Sequence, residues 1–428
     1  MWLLDRMLRR IIKRGELMAR YANGQTRTYG KAEAGWPTIR ISLTDKGAPS
    51  FIARNPRLGA AEAWMDGRLK VEGDNIRGLI DLLRANAPWE KGGNKLKSSP
   101  SKRMIHAVAS RLDRINWARR SKRNVAHHYD LDARLYDLFL DADRQYSCAY
   151  FTDPDNPLEQ AQADKKAHIA AKLALKPGLR VLDIGCGWGG MALYLNRVAD
   201  VDVLGITLSE EQLAIARRRA EEAGVADRVK FELVDYRDVT GTFDRIVSVG
   251  MFEHVGPPHY DTFFRKCRSL LAENGVMLLH TIGRMGKPGT TDAFTTKYIF
   301  PGGYIPALSE VVRSSERTKL ILSDMETLRL HYAYTLDLWY DRTVDARDEI
   351  ETIYDARFYR LWLFYLAGAA AAFRRGGMCN YQLQYIRRRD ALPLTRDYML
   401  ESEGALRRTD DHRSFLATAA ANKTLAAE

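Results

Sequence analysis

The segment 181–190, VLDIGCGWGG, constrains the fold of this chain more than any other ten residues. Residues 180–184 predict a buried β-strand, and an amphipathic helix is predicted from about 188 to 198. A glycine-rich turn between a strand and a helix lets the backbone approach a ligand closely. The spacing G-x-G-x-G lacks the third glycine of the dinucleotide fingerprint, and the absence of G-K-[ST] excludes a P-loop. The turn therefore predicts an α/β domain that holds some other nucleotide-like ligand.

Strands and helices alternate beyond this turn, which predicts a doubly wound, mostly parallel sheet with its ligands at the carboxyl ends of the strands. Residues 284–311, rich in glycine, proline and aromatic residues, interrupt the alternation and predict a lid or substrate-channel insertion. The predicted strands are 180–184, 202–207, 229–234, 243–250 and 276–282. The predicted helices are 188–198, 209–223, 259–273, 335–350 and 353–374.

The sequence DIGCGWG closely resembles the first motif of S-adenosylmethionine methyltransferases. That resemblance implies a Rossmann-like class I methyltransferase domain and S-adenosylmethionine as the cofactor. No acid ends the second strand, so Gln212, in a helix that Ser209 can cap, is expected to take the role of the ribose-binding acid. An acceptor and an aromatic ring end the third strand, where they would bond and stack an adenine. The candidate cofactor-binding residues so far are Asp183, Gly185, Gly187, Gly189, Thr207, Gln212, Asp235 and Tyr236.

The chain divides into four predicted parts. Residues 1–90 form a small N-terminal α/β domain with strands at 38–43 and 50–53 and a helix at 76–86, and this domain is a candidate for lipid or membrane association. Residues 91–123 form a basic linker and helix, 124–395 the catalytic domain, and 396–428 a C-terminal tail. No catalytic cluster occurs in the first part.

The net charge of +12 and the pI near 9.4 indicate an anionic partner. Eight Lys and Arg stand against Asp113 alone between Lys102 and Arg123. Residues 1–14 lack a signal-peptide pattern and predict a basic amphipathic helix, which either lies on an anionic membrane or packs on its own domain. The longest apolar run, 361–373, is too short to span a bilayer. We therefore expect a cytoplasmic protein associated peripherally with the inner face of the membrane.

The four scattered cysteines fit a reducing compartment, and we expect neither a disulfide nor a metal site.

The residues that end strands four and five bear on the substrate. Strand four ends in Phe252-Glu253-His254 and strand five in His280-Thr281-Ile282. A nucleic-acid amino-methyltransferase would instead show Asn/Asp-Pro-Pro-Tyr after strand four, so the charge alone does not argue for nucleic acid.

Five blocks resemble the cyclopropane-fatty-acid synthase family, in that family's order and approximate spacing, over residues 124–390. They are Tyr-Ser-Cys at 146–148, Gly-Cys-Gly-Trp-Gly at 185–189, Phe-Glu-His at 252–254, His-Thr-Ile at 280–282 and HYAYTLDLW at 331–339. The resemblance implies methylene transfer to cis double bonds of unsaturated phospholipid acyl chains. The expected partners are those chains and an anionic membrane surface, with no nucleic acid, and a homodimer is left open.

In that family a bound bicarbonate removes the proton as the ring closes, and water must be excluded around it. The resemblance implies that the side chains of Glu253, His280 and Tyr332 hold the bicarbonate, with backbone groups at Cys148 and Ile282. It also implies cofactor contacts at Tyr146 and Ser147. Weaker candidates for facing the cation are the aromatic residues Tyr298, Phe300 and Tyr304. At 236–237 this chain has Tyr-Arg where shorter members have Trp-Glu, so the adenine contacts are expected to differ.

Three alternatives stay open. The same site could deliver a methyl or methylene branch, or act on an activated or carrier-bound chain, because the fate of the cation alone sets the product. A nucleic-acid methyltransferase is opposed by the missing Pro-Pro-Tyr element. A catalytically inactive lipid-binding protein that keeps the fold is the third.

Overall fold

A computed structural model describes residues 1–56, 58–93 and 132–410. The N-terminal part forms a four-stranded sheet in the order β2-β1-β3-β4, in which β1 and β3 are parallel and the other pairs antiparallel. Its elements are α1 (Trp2–Ile11), β1 (Gly15–Arg20), β2 (Thr26–Lys31), β3 (Thr38–Leu43), α2 (Ala48–Arg54), α3 (Gly59–Met65), β4 (Leu69–Val71) and α4 (Ile76–Ala85).

The strand predicted at 50–53 is wrong, because these residues lie in α2. Gly47 is the N-cap of this helix, and Asp45 just before it accepts hydrogen bonds at Oδ1 from the backbone N–H groups of Gly47 and Ala48. Pro49 lies in the first turn, where a proline costs no helical hydrogen bond. The Asp45 hydrogen bonds and Pro49 therefore favour the start of a helix, and they outweigh the short alternation of apolar and polar residues at 50–53.

The second part is built on a seven-stranded sheet in the order β10-β11-β9-β8-β5-β6-β7. Strands β5 to β9 pair in parallel, and β11 runs antiparallel to both of its neighbours. The strands are β5 (Arg180–Ile184), β6 (Asp202–Thr207), β7 (Val229–Leu233), β8 (Phe243–Val249), β9 (Leu271–Arg284), β10 (Ile321–Leu328) and β11 (Met378–Ile386).

Helices cover both faces of this sheet. Val181 of β5 packs with the helices found between residues 158 and 222, whereas Leu182, the next residue, packs with those between residues 260 and 316 on the opposite face. The helices are α5 (Ala133–Phe139), α6 (Leu158–Lys172), α7 (Gly190–Ala199), α8 (Glu210–Glu222), α9 (Tyr260–Leu270), α10 (Leu308–Glu316), α11 (His331–Asp345), α12 (Arg347–Ile353) and α13 (Ala356–Arg374). The predicted doubly wound, mostly parallel class I fold is confirmed.

The N-terminal domain packs against α13. Trp64 is buried, and its Nε1 donates to the carbonyl oxygen of Arg360 at 3.0 Å. Arg360 in turn donates to the Met65 carbonyl at 2.9 Å. Glu62 reaches the insertion predicted at 284–311, where its Oε1 accepts from Lys297 at 2.7 Å and from Tyr298 at 2.9 Å. The insertion is therefore attached to both domains.

The structure describes part of the predicted C-terminal tail but not the predicted basic helix. The basic stretch 102–123 lies outside the described residues, as do 411–428. Residues 397–410 are helical and pair with the catalytic domain through Glu403 to His168 and through Asp410 to Arg197. Over the described ranges, the helices are either too short or too polar to cross a bilayer.

Candidate active site

A cleft opens where β5, β6, β7 and β8 end. Nine of the ten predicted cofactor-binding residues line it: Tyr146, Ser147, Asp183, Gly185, Gly187, Thr207, Gln212, Asp235 and Tyr236. The tenth, Gly189, does not line the cleft. A Cβ at Gly189 would lie 2.7 Å from the ring of Phe231, so this glycine allows close packing behind the turn.

The turn after β5 needs glycine for two separate reasons at Gly185. Its φ of +83° lies in the left-handed region, and a Cβ would come within 2.9 Å of Met251. The N–H groups of Gly185 and Cys186 both donate to the Ile206 carbonyl of β6. The turn is therefore fixed to the neighbouring strand and presents its backbone to the cleft.

The ends of β6 and β7 carry the other cofactor candidates. Thr207 donates to the Gln212 side chain at 3.0 Å, and Ser209 caps α8, as predicted, by accepting from the Gln212 N–H. Asp235 pairs with Arg237, whose Nε lies 2.8 Å from the Asp235 Oδ1. One of the two residues of the tyrosine-arginine sequence noted above, Arg237, therefore pairs directly with a predicted cofactor-binding residue.

Asp183 is buried at the base of the cleft, and its Oδ2 has no hydrogen-bond partner among the described residues. Burial raises the pKa of Asp183 to about 7, and the charge of Lys165 opposes that rise. A buried acceptor without a donor is suited to a hydrogen-bonding ligand in the cleft. This arrangement fits S-adenosylmethionine, which offers hydroxyl and ammonium donors.

The loop 144–148 covers the cleft, and two residues of α6 hold it. Gln162 donates to the backbone carbonyls of Gln145 and Ser147 at 3.1 and 3.0 Å. Lys165, fully buried, donates to the Gln145 side chain at 2.7 Å and to the Ser147 hydroxyl at 2.9 Å. Burial lowers the pKa of Lys165 to about 8. No motif in the sequence singled out this lysine.

Glu253 follows β8 in a short helical turn and is 7% exposed. Its Oε1 accepts a hydrogen bond from the Ile282 N–H, whereas its Oε2 is buried with no partner among the described residues. Burial raises the pKa of Glu253 to about 7, against the opposing hydrogen bonds from the backbone, including the Ile282 N–H, and from the Thr281 side chain. The Ile282 N–H, expected from the resemblance to contact bicarbonate, donates here to the Glu253 carboxylate.

Tyr332 of α11 lies near Glu253 and Cys148. Burial raises the pKa of Tyr332 well above its usual value, and nearby Tyr365, Cys148 and Glu253 raise it further. Burial also raises the pKa of the Cys148 thiol, which therefore stays protonated and is not a nucleophile. The Ala149 N–H donates to Thr335, which joins the Cys148 segment to α11. The structure thus brings Glu253, Tyr332 and Cys148 together.

His280 lies on β9 two residues before Ile282, and its carbonyl accepts from the Gly250 N–H at the end of β8. The imidazole is 1% exposed and lies between the side chains of Asn380 and Gln382 of β11. Burial lowers the pKa of His280 to about 3, so the ring is neutral at physiological pH. His254, interpreted from sequence as structural, lines the cofactor cleft.

Aromatic residues pack between the cofactor loop and the acid. Tyr146 stacks on Trp339 with ring centroids 5.3 Å apart and hydrogen-bonds to Tyr365. Phe300 of the insertion contacts Tyr365 at 6.2 Å, whereas Tyr298 and Tyr304 hydrogen-bond to Glu62 and Glu310. Sequence reasoning missed Tyr365. The available signal was a phenol inside the apolar run 361–373.

Comparisons with known proteins agree with this geometry. Residues 117–383 match the family model described as mycolic acid cyclopropane synthetase, and residues 3–88 match a domain of unknown function. The chain is 43% identical over 342 residues to the cyclopropane-fatty-acyl-phospholipid synthase of Escherichia coli strain K12, covering 79% of this chain and 86% of that protein. It is 38% identical over 351 residues to a probable fatty acid methyltransferase of Pseudomonas putida, covering 79% and 85%.

A solved structure extends the similarity to a ligand-bound protein. The mycolic acid cyclopropane synthase CmaA1 complexed with SAH and CTAB superposes with a TM-score of 0.59 at 33% identity. The match covers 62% of this chain and 97% of that one. The SAH in that structure supports S-adenosylmethionine as the cofactor of this chain.

Proposed function

The chain belongs to the mycolic acid cyclopropane synthetase family, and we propose that it adds a methylene bridge across cis double bonds of unsaturated acyl chains in membrane phospholipids. It is an S-adenosylmethionine-dependent methyltransferase. The observation that carries the substrate is the buried Glu253, with its unpartnered Oε2, beside Tyr332 and next to the cofactor cleft. An acid in this position serves a reaction that must remove a proton away from water.

Separate groups of residues bind the cofactor and surround the reacting acyl chain. The turn at 185–189 and the loop 144–148 hold the cofactor, which supplies an electrophilic methyl group when bound. The alkene forms a bond to that methyl carbon, and the resulting cation closes to a ring as the new methyl group loses one proton. Tyr332 and Phe300 both lie near Tyr365, and aromatic rings can stabilise a cation.

Bicarbonate as the base is part of this proposal. When bound, it would supply the oxygen that takes the proton. Glu253 Oε2 and the Tyr332 hydroxyl are the groups suited to hold it, because one is an unpartnered buried carboxyl oxygen and the other a phenol that burial keeps protonated. With its pKa raised to about 7, Glu253 can carry a proton at neutral pH and donate it to an anion.

The reaction is tested with purified protein, S-adenosylmethionine and vesicles of a cis-unsaturated phospholipid. We expect mass spectrometry to show a lipid heavier by one CH₂ that has lost its olefin. A product that carries a methyl or methylene branch and keeps a double bond would instead support the fatty acid methyltransferase activity named for the Pseudomonas relative. A protein that binds lipid without any product would contradict both.

We also propose that the N-terminal domain contacts an anionic membrane through the start of α1. Trp2 is 67% exposed and Leu3 48% exposed, whereas Leu4 and Leu8 of the same helix are buried in the domain. Basic residues flank these exposed side chains, with Arg6 against the Trp2 ring. Exposed apolar side chains beside cations are suited to the interface of an anionic bilayer.

The double variant Trp2→Ser, Leu3→Ser is expected to bind anionic vesicles at least about tenfold more weakly in sedimentation, because two interfacial side chains are lost. Binding of the unchanged protein should also weaken as salt rises. Leu400→Ser is the matched control, since Leu400 is 76% exposed on the C-terminal helical segment. Equal loss in both variants, or binding indifferent to lipid charge and salt, would contradict the proposed contact.

A further inference from the structure

Three polar side chains alternate along β11 in the interior of the catalytic domain. Asn380, Gln382 and Gln384 are each 1% exposed, which is unusual for side-chain amides and requires partners. The His280 ring lies between the first two of them. Its Nδ1 is 3.2 Å from Gln382 Nε2, and its Nε2 is 3.4 Å from Asn380 Nδ2.

This arrangement contains a conflict of hydrogen-bond donors. Each ring nitrogen of His280 faces an amide nitrogen, and an amide nitrogen only donates. The ring is neutral, so one of its nitrogens carries a proton and is itself a donor. One of the two amides must therefore be turned so that its oxygen faces the ring, because the two ends of an amide are nearly identical in shape.

Lys172 decides which amide turns. Its ammonium donates to the Gln382 Oε1 at 2.6 Å, and an ammonium has only donors, so the oxygen of Gln382 must point at Lys172 and its nitrogen at His280. Asn380 has no such constraint, and its Oδ1 is buried without a hydrogen-bond partner among the described residues. Turning Asn380 gives this oxygen a donor, the His280 Nε2–H. Both amides are then satisfied.

Lys172 is itself held in place. It is 2% exposed, and its ammonium pairs with Glu326, which also accepts from the His168 ring. Glu403 bonds the other nitrogen of His168. The hydrogen bond from His168 and the charge of Lys172 hold the pKa of Glu326 below its usual range against the opposing effect of burial. The lysine therefore has a charged partner that keeps it in position as a donor.

We propose that Lys172, acting through Gln382, is a positioning residue that fixes His280 as the tautomer with its proton on Nε2. The consequence for catalysis rests on the proposed function, in which the family resemblance gives His280 a place at the base: the ring can then donate a hydrogen bond only from Nε2, on the side of Asn380. The tautomer itself does not depend on any reaction. Its direct readout is a spectrum of the resting protein.

The test is a long-range ¹H–¹⁵N spectrum of the full chain labelled with ¹⁵N-histidine, with His280 assigned by comparison with His280→Gln. We expect the unchanged protein to show a protonated Nε2 and an unprotonated Nδ1. Gln382→Glu should move the proton to Nδ1, because a carboxylate accepts both from Lys172 and from the ring. Asn380→Asp, the matched control, should leave the proton on Nε2, because its carboxylate accepts there.

Two further variants address Lys172 directly. Lys172→Met should give a mixture of both tautomers, and Lys172→Arg should restore the single Nε2–H form, with folding followed by the melting temperature and by S-adenosylhomocysteine binding. A proton on Nδ1 in the unchanged protein, or an unaltered tautomer in Gln382→Glu, would overturn the proposal. If the tautomer responds as expected but no cyclopropane product forms, the proposed function fails and this inference stands.

Discussion

Replacing Glu253 with glutamine is expected to lower the turnover of acyl-chain methylenation by about a thousandfold, within the range found when a proton-transfer group is lost. Glutamine keeps the acceptor for the Ile282 N–H but puts an NH₂ group where the open Oε2 lies. It can no longer share a proton with a bound base. The affinity for S-adenosylhomocysteine, measured by calorimetry, should stay within about twofold, because Glu253 does not line the cofactor cleft.

The response of activity to added bicarbonate is the control for this prediction. In buffer freed of carbon dioxide, the original protein should lose activity and regain it when bicarbonate is added, whereas Glu253→Gln should not respond. Loss of S-adenosylhomocysteine binding in the variant would contradict the division of the site into a cofactor half and a base half. An original protein indifferent to bicarbonate would contradict the proposed base.

The same variant should be more stable than the original protein at high pH. The pKa of Glu253 is raised from 4.5 to about 7, so the folded state holds a proton that the unfolded state releases between these values. The free energy of unfolding therefore falls as pH rises from 4.5 towards 7, by roughly 3 kcal/mol for this group alone. Urea titrations at pH 5 and pH 8 should show that Glu253→Gln removes this fall.

Residues at strand ends could be predicted from sequence because a parallel sheet gathers them at one edge. The turn at 185–189, Thr207 and Asp235 follow three neighbouring strands, and their convergence on one cleft needs only the strand order. Glu253 was found in the same way after β8. The substrate, by contrast, depended on resemblance, since a buried acid at a strand end fits many reactions.

The partners of these residues could not be predicted, because they come from distant elements. Lys165 reaches Ser147 from α6, and no spacing in the sequence marks that pairing. Strand β11 was missed although residues 378–386 alternate between apolar and polar types, and the structure buries the polar face, which such a pattern assigns to solvent. The amides that hold His280 therefore went unnoticed, as did Tyr365 within an apolar helix.

The second large effect concerns Lys165. Lys165→Met should weaken S-adenosylhomocysteine binding by about a hundredfold, or about 3 kcal/mol, because two hydrogen bonds from a buried cation to the loop 144–148 are lost. A second cause adds to the first. The charge of Lys165 opposes the rise in the Asp183 pKa, so without it Asp183 becomes protonated at neutral pH and accepts hydrogen bonds less well.

The free energy of unfolding of Lys165→Met should not fall together with its affinity for S-adenosylhomocysteine. Burial lowers the pKa of Lys165 to about 8, so the folded state tolerates its charge poorly, and methionine fills similar space without a charge. We therefore expect a free energy of unfolding at pH 7 equal to or above that of the original protein. Lys166→Met is the matched control on the same helix: its partner Asp143 keeps Arg219, so cofactor affinity should change by less than about fivefold. Normal S-adenosylhomocysteine binding by Lys165→Met would contradict this prediction, because Gln162 alone would then hold the loop. A loss of affinity that only accompanies unfolding would make Lys165 a structural residue of α6 and not a determinant of the cofactor site.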